Sequence, residues 1–334
     1  MAVMAMEEAN GDNWHLWNGD CVEVARGLPA DSVGYSIHSP PFSSLYTFSD
    51  DPRDMSNCRT HDEFWAHYDF IIKELYRVTK PGRICSIHCM NLPTSKQRDG
   101  FIGIYDFRGD VIRHYQAAGF IYHAENQRPT EVTIRKDPVS AMQRSKAIGL
   151  LHKQMVKDSC ISRMAIADYV VHMRKPGENL EPVSGVLDAY YGTEAPPEGP
   201  LEFADFNRGR VRVFPGSTEF SIAVWQRYAE TVWLDIPQSD VLSRDGAREH
   251  DDERHIAPLQ LTVIRRCIDL WSNPGNVVFS PFAGIGSEGY VALEMGRKFI
   301  GAELKKSYYD QAVGYLTAAA KKNPSLLDIM GKVA

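Results

Sequence analysis

The sequence predicts an α/β protein built on a mostly parallel, doubly wound sheet. Three observations predict it. Short apolar runs with strand character alternate with segments whose apolar residues recur at helical spacing, the order of parallel strands joined by crossover helices. A glycine-rich turn, Gly284-Ile285-Gly286-Ser287-Glu288-Gly289, joins one such run to one such helix. The 334 residues, 43% hydrophobic and 24% charged, are enough for one large domain or two smaller ones.

The elements follow in order. Val33–His38 is a short apolar strand, and Ser39-Pro40-Pro41 must leave it, because proline has no N–H to give a sheet ladder. His61–Thr79 has helical spacing through Phe64, Tyr68, Ile71, Ile72, Leu75 and Tyr76, and Lys80-Pro81-Gly82 stops it. Arg83–Met90 is the next strand. Val111–Ala118 is a helix closed by Gly119, and Phe120–Ala124 a strand. Pro138–Ile166 reads as inserted helix, Tyr169–Met173 as a strand and the proline-rich stretch Pro176–Asp205 as a long loop. Leu259–Trp271 is helical and ends near Asn273-Pro274-Gly275. Then come the strand Val277–Phe279, the helix Ser287–Met295, the strand Lys298–Glu303 and the last helix Ser307–Ala320.

Composition excludes several classes. The chain is neither a disordered polymer, a collagen-like fibre nor a coiled coil. No apolar run approaches the roughly 18–20 residues of a bilayer span. Met1–Asn10 holds Glu7 and Glu8 and no basic residue, unlike a signal peptide, so the cytoplasm is the expected compartment. Six cysteines without a CxxC pair read as reduced, mostly buried thiols. The net charge of −6 is not that of a protein basic all over. Charge is uneven, however. Basic residues predominate from Arg128 to Lys175, and Pro176–Asp205 carries acids with no Lys or Arg.

Two turns carry chemistry. Val277-Val278-Phe279-Ser280-Pro281-Phe282-Ala283-Gly284 is a strand entering the glycine turn, and Glu303 ends the following strand. Glycines let the backbone approach a nucleotide-type ligand, and the acid accepts hydrogen bonds from ribose hydroxyls. The bland reading is a glycine turn needed only for close helix–strand packing. Only about 30 residues follow Glu303, so the rest of the sheet comes from the N-terminal part, a circularly permuted order relative to ordinary Rossmann enzymes. In Ser39-Pro40-Pro41-Phe42 two prolines fix φ and remove both N–H donors. The rigid turn presents carbonyls, the Ser39 side chain and an aromatic face, which suits a planar substrate bearing an amino group.

Ser39-Pro40-Pro41-Phe42 together with Pro281-Phe282-Ala283-Gly284-Ile285-Gly286-Ser287 resembles the amino-methylating DNA methyltransferases, which methylate cytosine N4 or adenine N6 using S-adenosylmethionine. A catalytic turn ahead of the cofactor loop looks like that family's permuted β arrangement. Asn18-Gly19-Asp20-Cys21 is similar to the segment whose acid contacts the cofactor adenine. Glu74, Arg77, Val78 and Lys80-Pro81-Gly82 look like the family's helix-to-strand turn. Arg254 to Gln260 resembles the segment that approaches the methionine end, and Gly301-Ala302-Glu303-Leu304 the ribose-binding strand end. The likeness covers about residues 14–125 and 250–320.

The resemblance implies a doubly wound, Rossmann-like S-adenosylmethionine-dependent methyltransferase sheet, circularly permuted, with a central target-recognition insert. Residues 14–137 would be the catalytic half. Residues 138–250 would be the insert, with the strand 168–174 returning to the sheet. Residues 251–322 would be the cofactor-binding half. S-adenosyl-L-methionine would be held by Asp20, Cys21, Pro258, Pro281, Phe282, Gly284, Gly286, Ser287, Glu303 and Leu304. Catalysis would fall to Ser39, Pro40, Pro41 and Phe42. Double-stranded DNA would be the partner, with its target base flipped into the pocket and stacked on Phe42. Phosphates would meet Arg135, Lys136, Arg144, Lys146, Lys153 and Lys157, although any one of these alone reads as a solvated charge. A homodimer, and a restriction-modification or phage setting, are further expectations.

Two departures from the family pattern stand out. Ser280 occupies a place usually held by Asp, and Ser39 begins the catalytic turn where adenine enzymes usually have Asp. In the family, Ser there leans toward cytosine N4, with adenine N6 as the alternative. No Cys follows Pro, which excludes the usual C5 nucleophile. More distant readings are an NAD-dependent oxidoreductase, against which the loop position and the double-proline turn argue, and an inactive DNA-binding protein, against which the intact motifs argue. RNA or a protein amine is a further substrate class. No metal is expected. On a strand, Cys85, Ile87 and Cys89 share one face and His88 points to the other. His38 reads as a hydrogen-bonded strand histidine, and Tyr46 and His61 as residues near enough to close over the base.

Overall fold

The computed structural model describes residues 7–43, 48–94, 96–128, 132–134, 141–143, 166–183, 201–205, 207–215, 217–243 and 258–322. The elements are β1 (Glu7–Gly11), β2 (Trp14–Asn18), α1 (Cys21–Gly27), β3 (Tyr35–His38), α2 (His61–Val78), β4 (Ile84–Met90), β5 (Leu92–Pro93) and α3 (Lys96–Asp99). They continue as β6 (Ile104–Tyr105), α4 (Phe107–Ala117), β7 (Ile121–Arg128), β8 (Val132–Ile134), β9 (Ala141–Gln143), β10 (Asp168–Arg174), β11 (Leu201–Asp205) and β12 (Gly209–Val213). The last are α5 (Thr218–Ala229), α6 (Leu261–Trp271), β13 (Val277–Ser280), α7 (Ser287–Glu294), β14 (Lys298–Glu303) and α8 (Lys306–Lys322).

One sheet dominates, in the order β1-β2-β14-β13-β3-β4-β10-β7. The centre, β2-β14-β13-β3-β4, is parallel. Both margins are antiparallel, β1 on β2 and β10 between β4 and β7. The mostly parallel expectation therefore describes the middle of the sheet and not its edges. The margin at β1 has a simple cause: only Asp12 and Asn13 separate it from β2, and so short a link joins only antiparallel strands. Two apolar layers cover the sheet. Buried residues of α6, α7 and α8 pack with Trp14, Leu16, Tyr35 and Val278 on one face. Residues of α1, α2 and α4 pack with Cys85, Ile87, Phe279 and Ala302 on the other. This is a doubly wound arrangement.

Local chemistry explains the helices. Thr60 caps α2 by accepting from the Glu63 N–H (3.1 Å), while Glu63 reaches back to the Arg59 N–H (2.7 Å). Its buried face presents Phe64, Ile71, Ile72 and Leu75. Each such side chain contributes about 1.5–3 kcal/mol on burial. Asp106 caps α4 at Gly109 (3.1 Å), so this helix starts at Phe107 and not at Val111. The strand after it runs to Arg128, beyond Ala124, because β10 offers it a full ladder. Apolar periodicity does not mark α1. It is short and rests on its ends: Asp20 caps the start, and the Arg77 guanidinium donates to the carbonyls of Ala25 (2.7 Å) and Leu28 (2.8 Å).

Two expectations for the middle of the chain are corrected. Ala141–Gln143 lies within the stretch read as helix, yet it pairs as a strand with the β-branched run Val132-Thr133-Ile134. Leu201–Asp205, the end of the stretch read as loop, is a strand antiparallel to Gly209–Val213. This hairpin and α5 share a small separate core of Val213, Phe220, Ala223, Val224 and Tyr228. No described helix is long and apolar enough to cross a membrane.

Gly289, third of the glycine motif, sits where α7 crosses β14. A Cβ there would lie 2.5 Å from Leu316 and 2.6 Å from Phe299. Gly289→Ala should therefore lower stability by about 1–3 kcal/mol through overpacking. Urea denaturation tests this; an unchanged midpoint would refute the packing role.

Candidate active site

Parallel pairing brings the carboxyl ends of five strands to one edge. Asn18 lies opposite Glu303, Gly301 opposite Ser280, and His38 opposite Ile87. The loops beyond them are stitched together. Asn18 donates its amide to the carbonyls of Glu303 (2.8 Å) and Leu304 (3.0 Å), Gly19 N–H to Glu303 O (3.0 Å), and Ala283 N–H to Ala302 O (2.9 Å). Between them lies a cavity of about 510 Å³, within the range of small-ligand sites.

The cavity gathers residues from distant parts of the chain. Asp20 and Cys21 come from the start of α1. Ser39, Pro40, Pro41 and Phe42 come from the turn after β3. Pro258 precedes α6. Pro281, Phe282, Gly284 and Ser287 come from the glycine loop, and Glu303 and Leu304 from the end of β14. Gly284 has φ 53°, and a Cβ there would meet nothing within 4 Å, so the backbone faces open space. Gly286 is the exception among the expected residues. It is absent from the wall, and a Cβ there would press on Ala312 of α8 at 3.1 Å. Its missing side chain lets the loop, in a left-handed conformation at φ 89°, lie close to that helix.

The polar groups of the wall fit a ligand with donors and positive charge. Glu303 accepts from the Gly284 N–H (2.8 Å) and the Lys305 N–H (2.9 Å), one on each oxygen. This bridge aims the carboxylate into the cavity and leaves lone pairs for further donors. Ser287 is buried and lines the cavity, yet its Oγ has no hydrogen-bond partner. A bound ligand would satisfy it. Asp20 gives one oxygen to its helix cap at the Val22 N–H (2.8 Å), so it has a structural duty besides its place in the wall.

Sequence reasoning missed several wall residues. Arg53, Asp54 and Met55 lie on a rim held by side-chain bonds: Asp54 accepts from the Ser56 N–H (2.9 Å) and from Ser49 Oγ (2.9 Å). Lys305, Tyr308 and Glu288 complete the wall on the side of the glycine loop. Glu288 lies inside the glycine motif, a signal that could have found it, but nothing local says that it points inward. His88, which strand alternation places opposite the cysteine face, lies 3.0 Å through Nδ1 from Ser39 Oγ.

His38 Nε2 lies 3.0 Å from Tyr68 Oη and 3.2 Å from Tyr115 Oη, and burial pushes its pKa down to about 3. It is a neutral strand histidine. Phe42 lines the cavity but is not an isolated platform; its ring packs edge-on to Phe107 at 6.1 Å. His61 stacks on Tyr105 at 3.8 Å and bonds Ser43 (2.9 Å) instead of facing the cavity. Tyr46 lies outside the described residues. The described cysteines are free and buried, with Cys85 and Cys267 pushed up to about 12 by burial. Cys58, Glu63 and His67 bring possible ligand atoms within 4.8 Å of one another, with Glu63 already occupied at the Arg59 N–H. Arg135, Lys136, Arg144, Lys146, Lys153 and Lys157 lie outside the described residues. Of the same basic stretch, Arg174 and Lys175 are at the opposite sheet edge, where Lys175 bonds Asp31 (2.6 Å) and Thr79 O (2.8 Å). Those two are structural.

Comparisons with known proteins bear on the family and the fold. A family model of the N6/N4 type, described as DNA methylase, matches residues 35–314. The Escherichia coli DNA adenine methyltransferase YhdJ is 38% identical over 68 residues, 20% of this chain and 23% of that protein. TTHA0409 of Thermus thermophilus, a candidate DNA modification methylase solved with S-adenosyl-L-methionine, is 19% identical. The match covers 92% of this chain and 95% of that one, with a TM-score of 0.56. The cytosine-N4-specific PvuII DNA methyltransferase is 15% identical over 91% of this chain and 86% of its own, with a TM-score of 0.59. At these identities the structural likenesses show the fold.

Burial raises two of the wall acids. Glu288 is pushed up to about 8 by desolvation and then by the Glu303 charge. Glu303 is pushed up to about 7 by desolvation, offset by the N–H groups of Lys305 and Gly284. A raised carboxyl pKa means that the folded state keeps protons which the unfolded state releases. Stability from these groups is full below about pH 4.5 and is lost as pH rises through about 7 and 8. Relative to Glu288→Gln, the wild type should lose on the order of a few kcal/mol between about pH 4.5 and about pH 8.5. Parallel stability profiles in urea would refute the buried-acid reading.

Proposed function

The chain belongs to the N6/N4 DNA methylase family, and from that premise we propose that it transfers a methyl group from S-adenosyl-L-methionine to the exocyclic amine of a flipped DNA base, cytosine N4 first. The observation that carries the reading is one cavity walled on one side by Ser39-Pro40-Pro41-Phe42 and on the other by the glycine loop and Glu303. In this reading residues 14–137 and 251–322 form one catalytic unit in permuted order, and 138–250 reads the target, apart from the strand 168–174 that joins the sheet.

The wall fits the cofactor in kind. Glu303 suits ribose hydroxyls, the open backbone at Gly284 admits close approach, and Ser287 Oγ offers an unused polar atom. The wall's acids, Asp20, Asp54, Glu288 and Glu303, outnumber its cations, Arg53 and Lys305, and suit a cationic ligand. Bound S-adenosylmethionine supplies a methyl group on a sulfonium, already activated for transfer. The protein's task is then to align the amine and make it nucleophilic. An exocyclic amine is a poor nucleophile because its lone pair is delocalised into the ring. Acceptors at Ser39 Oγ and the Pro40 carbonyl would draw its N–H groups out of that conjugation. The rigid prolines keep those acceptors in place, and Phe42, fixed by Phe107, offers the base a face.

Cytosine N4 is favoured by Ser39, a neutral acceptor where adenine enzymes of the family usually carry a charged Asp. The identity shared with the adenine methyltransferase over 68 residues supports adenine N6 as the second reading. The test is incubation with S-adenosylmethionine and unmodified duplex DNA, digestion to nucleosides and mass spectrometry. N4-methylcytosine is the expected product, and N6-methyladenine would transfer the assignment to adenine. No modified base on several DNAs, with cofactor binding intact, would overturn DNA methylation. Ser39→Ala should lower kcat about a hundred- to a thousandfold with cofactor affinity kept. Glu303→Gln should weaken cofactor binding about ten- to a hundredfold in calorimetry, and full affinity in that folded variant would remove Glu303 from the cofactor site.

A further inference from the structure

Ser39 does not stand alone behind its turn. Its Oγ lies 3.0 Å from His88 Nδ1. His88 is on β4, the strand beside β3, and only 3% of its side chain is exposed. The other ring nitrogen, Nε2, lies 3.6 Å from a carboxylate oxygen of Asp168, itself buried, at the first position of β10. The sheet register sets this line. Val170 is opposite His88 and Asp168 is opposite Met90, so His88 and Asp168 are diagonal neighbours on one face of an antiparallel pair. The three groups run Ser39, His88, Asp168 from the cavity wall into the sheet. The cysteine-rich face of β4 is turned away from them, in the core with Cys85 and Cys89.

We propose that His88, oriented by Asp168, is a positioning residue that locks the Ser39 hydroxyl as a hydrogen-bond acceptor toward the target amine. The inference rests on the methyl-transfer reading of the cavity. A neutral imidazole has one N–H and one bare nitrogen. A buried carboxylate 3.6 Å from Nε2 is beyond a direct hydrogen bond, yet its field attracts an N–H and repels a lone pair. We accordingly place the proton on Nε2, which leaves Nδ1 as the bare nitrogen. Ser39 then donates its only hydrogen to Nδ1. Both lone pairs of Ser39 Oγ are left for the cavity, where an amine N–H must be accepted. A serine without this partner rotates freely and offers its hydrogen to the substrate in part of the population. The line of groups gives a neutral serine the acceptor-only behaviour that an Asp at the same place has by its charge.

The test has two arms on the full-length protein. The first needs no turnover. Ring nitrogen NMR of histidine-labelled protein, with the His88 signal identified by its loss in His88→Asn, should show the neutral Nε2–H tautomer. Asp168→Asn should erode that preference. A His88 signal of the Nδ1–H tautomer, or one indifferent to Asp168→Asn, overturns the proposal whatever the enzyme's substrate. The second arm is kinetic. Asn places an oxygen acceptor near the position of Nδ1, whereas Leu does not. His88→Leu should lower kcat about a hundredfold, with KM for the cofactor within about twofold. His88→Asn should recover most of that loss. In the Ser39→Ala background, His88→Leu should cost nothing further, because its effect passes through Ser39. Equal losses for Asn and Leu, or losses that multiply with Ser39→Ala, would show a merely structural histidine. Wild-type protein that binds the cofactor but modifies no DNA would overturn the methyl-transfer reading, and with it the amine-directed role; the NMR arm would still report whether the acceptor geometry exists.

Discussion

Everything at the cavity depends on Val277–Ser280 lying between β3 and β14. That strand pairs in parallel with Tyr35 and Ser36 on one side and with Lys298 to Gly301 on the other. It arrives about 240 residues downstream of β3, so the pairing closes a very long loop, and chain entropy opposes it. Specific groups offset that cost. Ser36 Oγ donates to the Phe279 carbonyl at 2.9 Å. Arg83, almost wholly buried, donates to Gly34 O (2.8 Å), Asn276 Oδ1 (2.7 Å) and Trp271 O (3.1 Å), tying the start of β4 to the starts of β3 and β13 and to the end of α6. An apolar layer on each face of the strand then removes it from water. With β13 so placed, the double-proline turn and the glycine loop leave adjacent strands at the same edge and must share one space.

That edge concentrates groups which are costly to bury. The Glu303 charge adds to burial in raising Glu288, Glu303 is itself raised by burial, and Ser287 has a buried hydroxyl without a partner. A site optimised for stability alone would carry none of these. Their cost is offset when a ligand brings donors and positive charge. The wall at the double-proline turn is built the opposite way, because His38, Tyr68, Tyr115, His88 and Asp168 are held in side-chain networks behind the turn. Under the proposed methyl transfer the two walls differ because one must accept a ligand that comes and goes, while the other must keep a few acceptors still.

The elements and chemistry legible in residue order are the local ones. Apolar periodicity locates α2, α6 and the strands of the C-terminal half, because helix and strand faces have different repeats. Double prolines and the glycine turn announce two loops that line the cavity, because their backbone constraints are written in residue type alone. Which of those residues share a cavity is settled only by the folded sheet, where Gly286 lies against Ala312 and outside the wall. Short elements such as α1 and the β11–β12 hairpin escape a reading of the chain, since caps, cross-strand partners and the Arg77 guanidinium hold them and no periodic face marks them. His88 escapes for the same reason. Its partner Ser39 is 49 residues away, and Asp168 is farther still along the chain on another strand. Their alignment exists only in the register of three neighbouring strands, a property of hydrogen-bonded ladders and not of any one segment of chain.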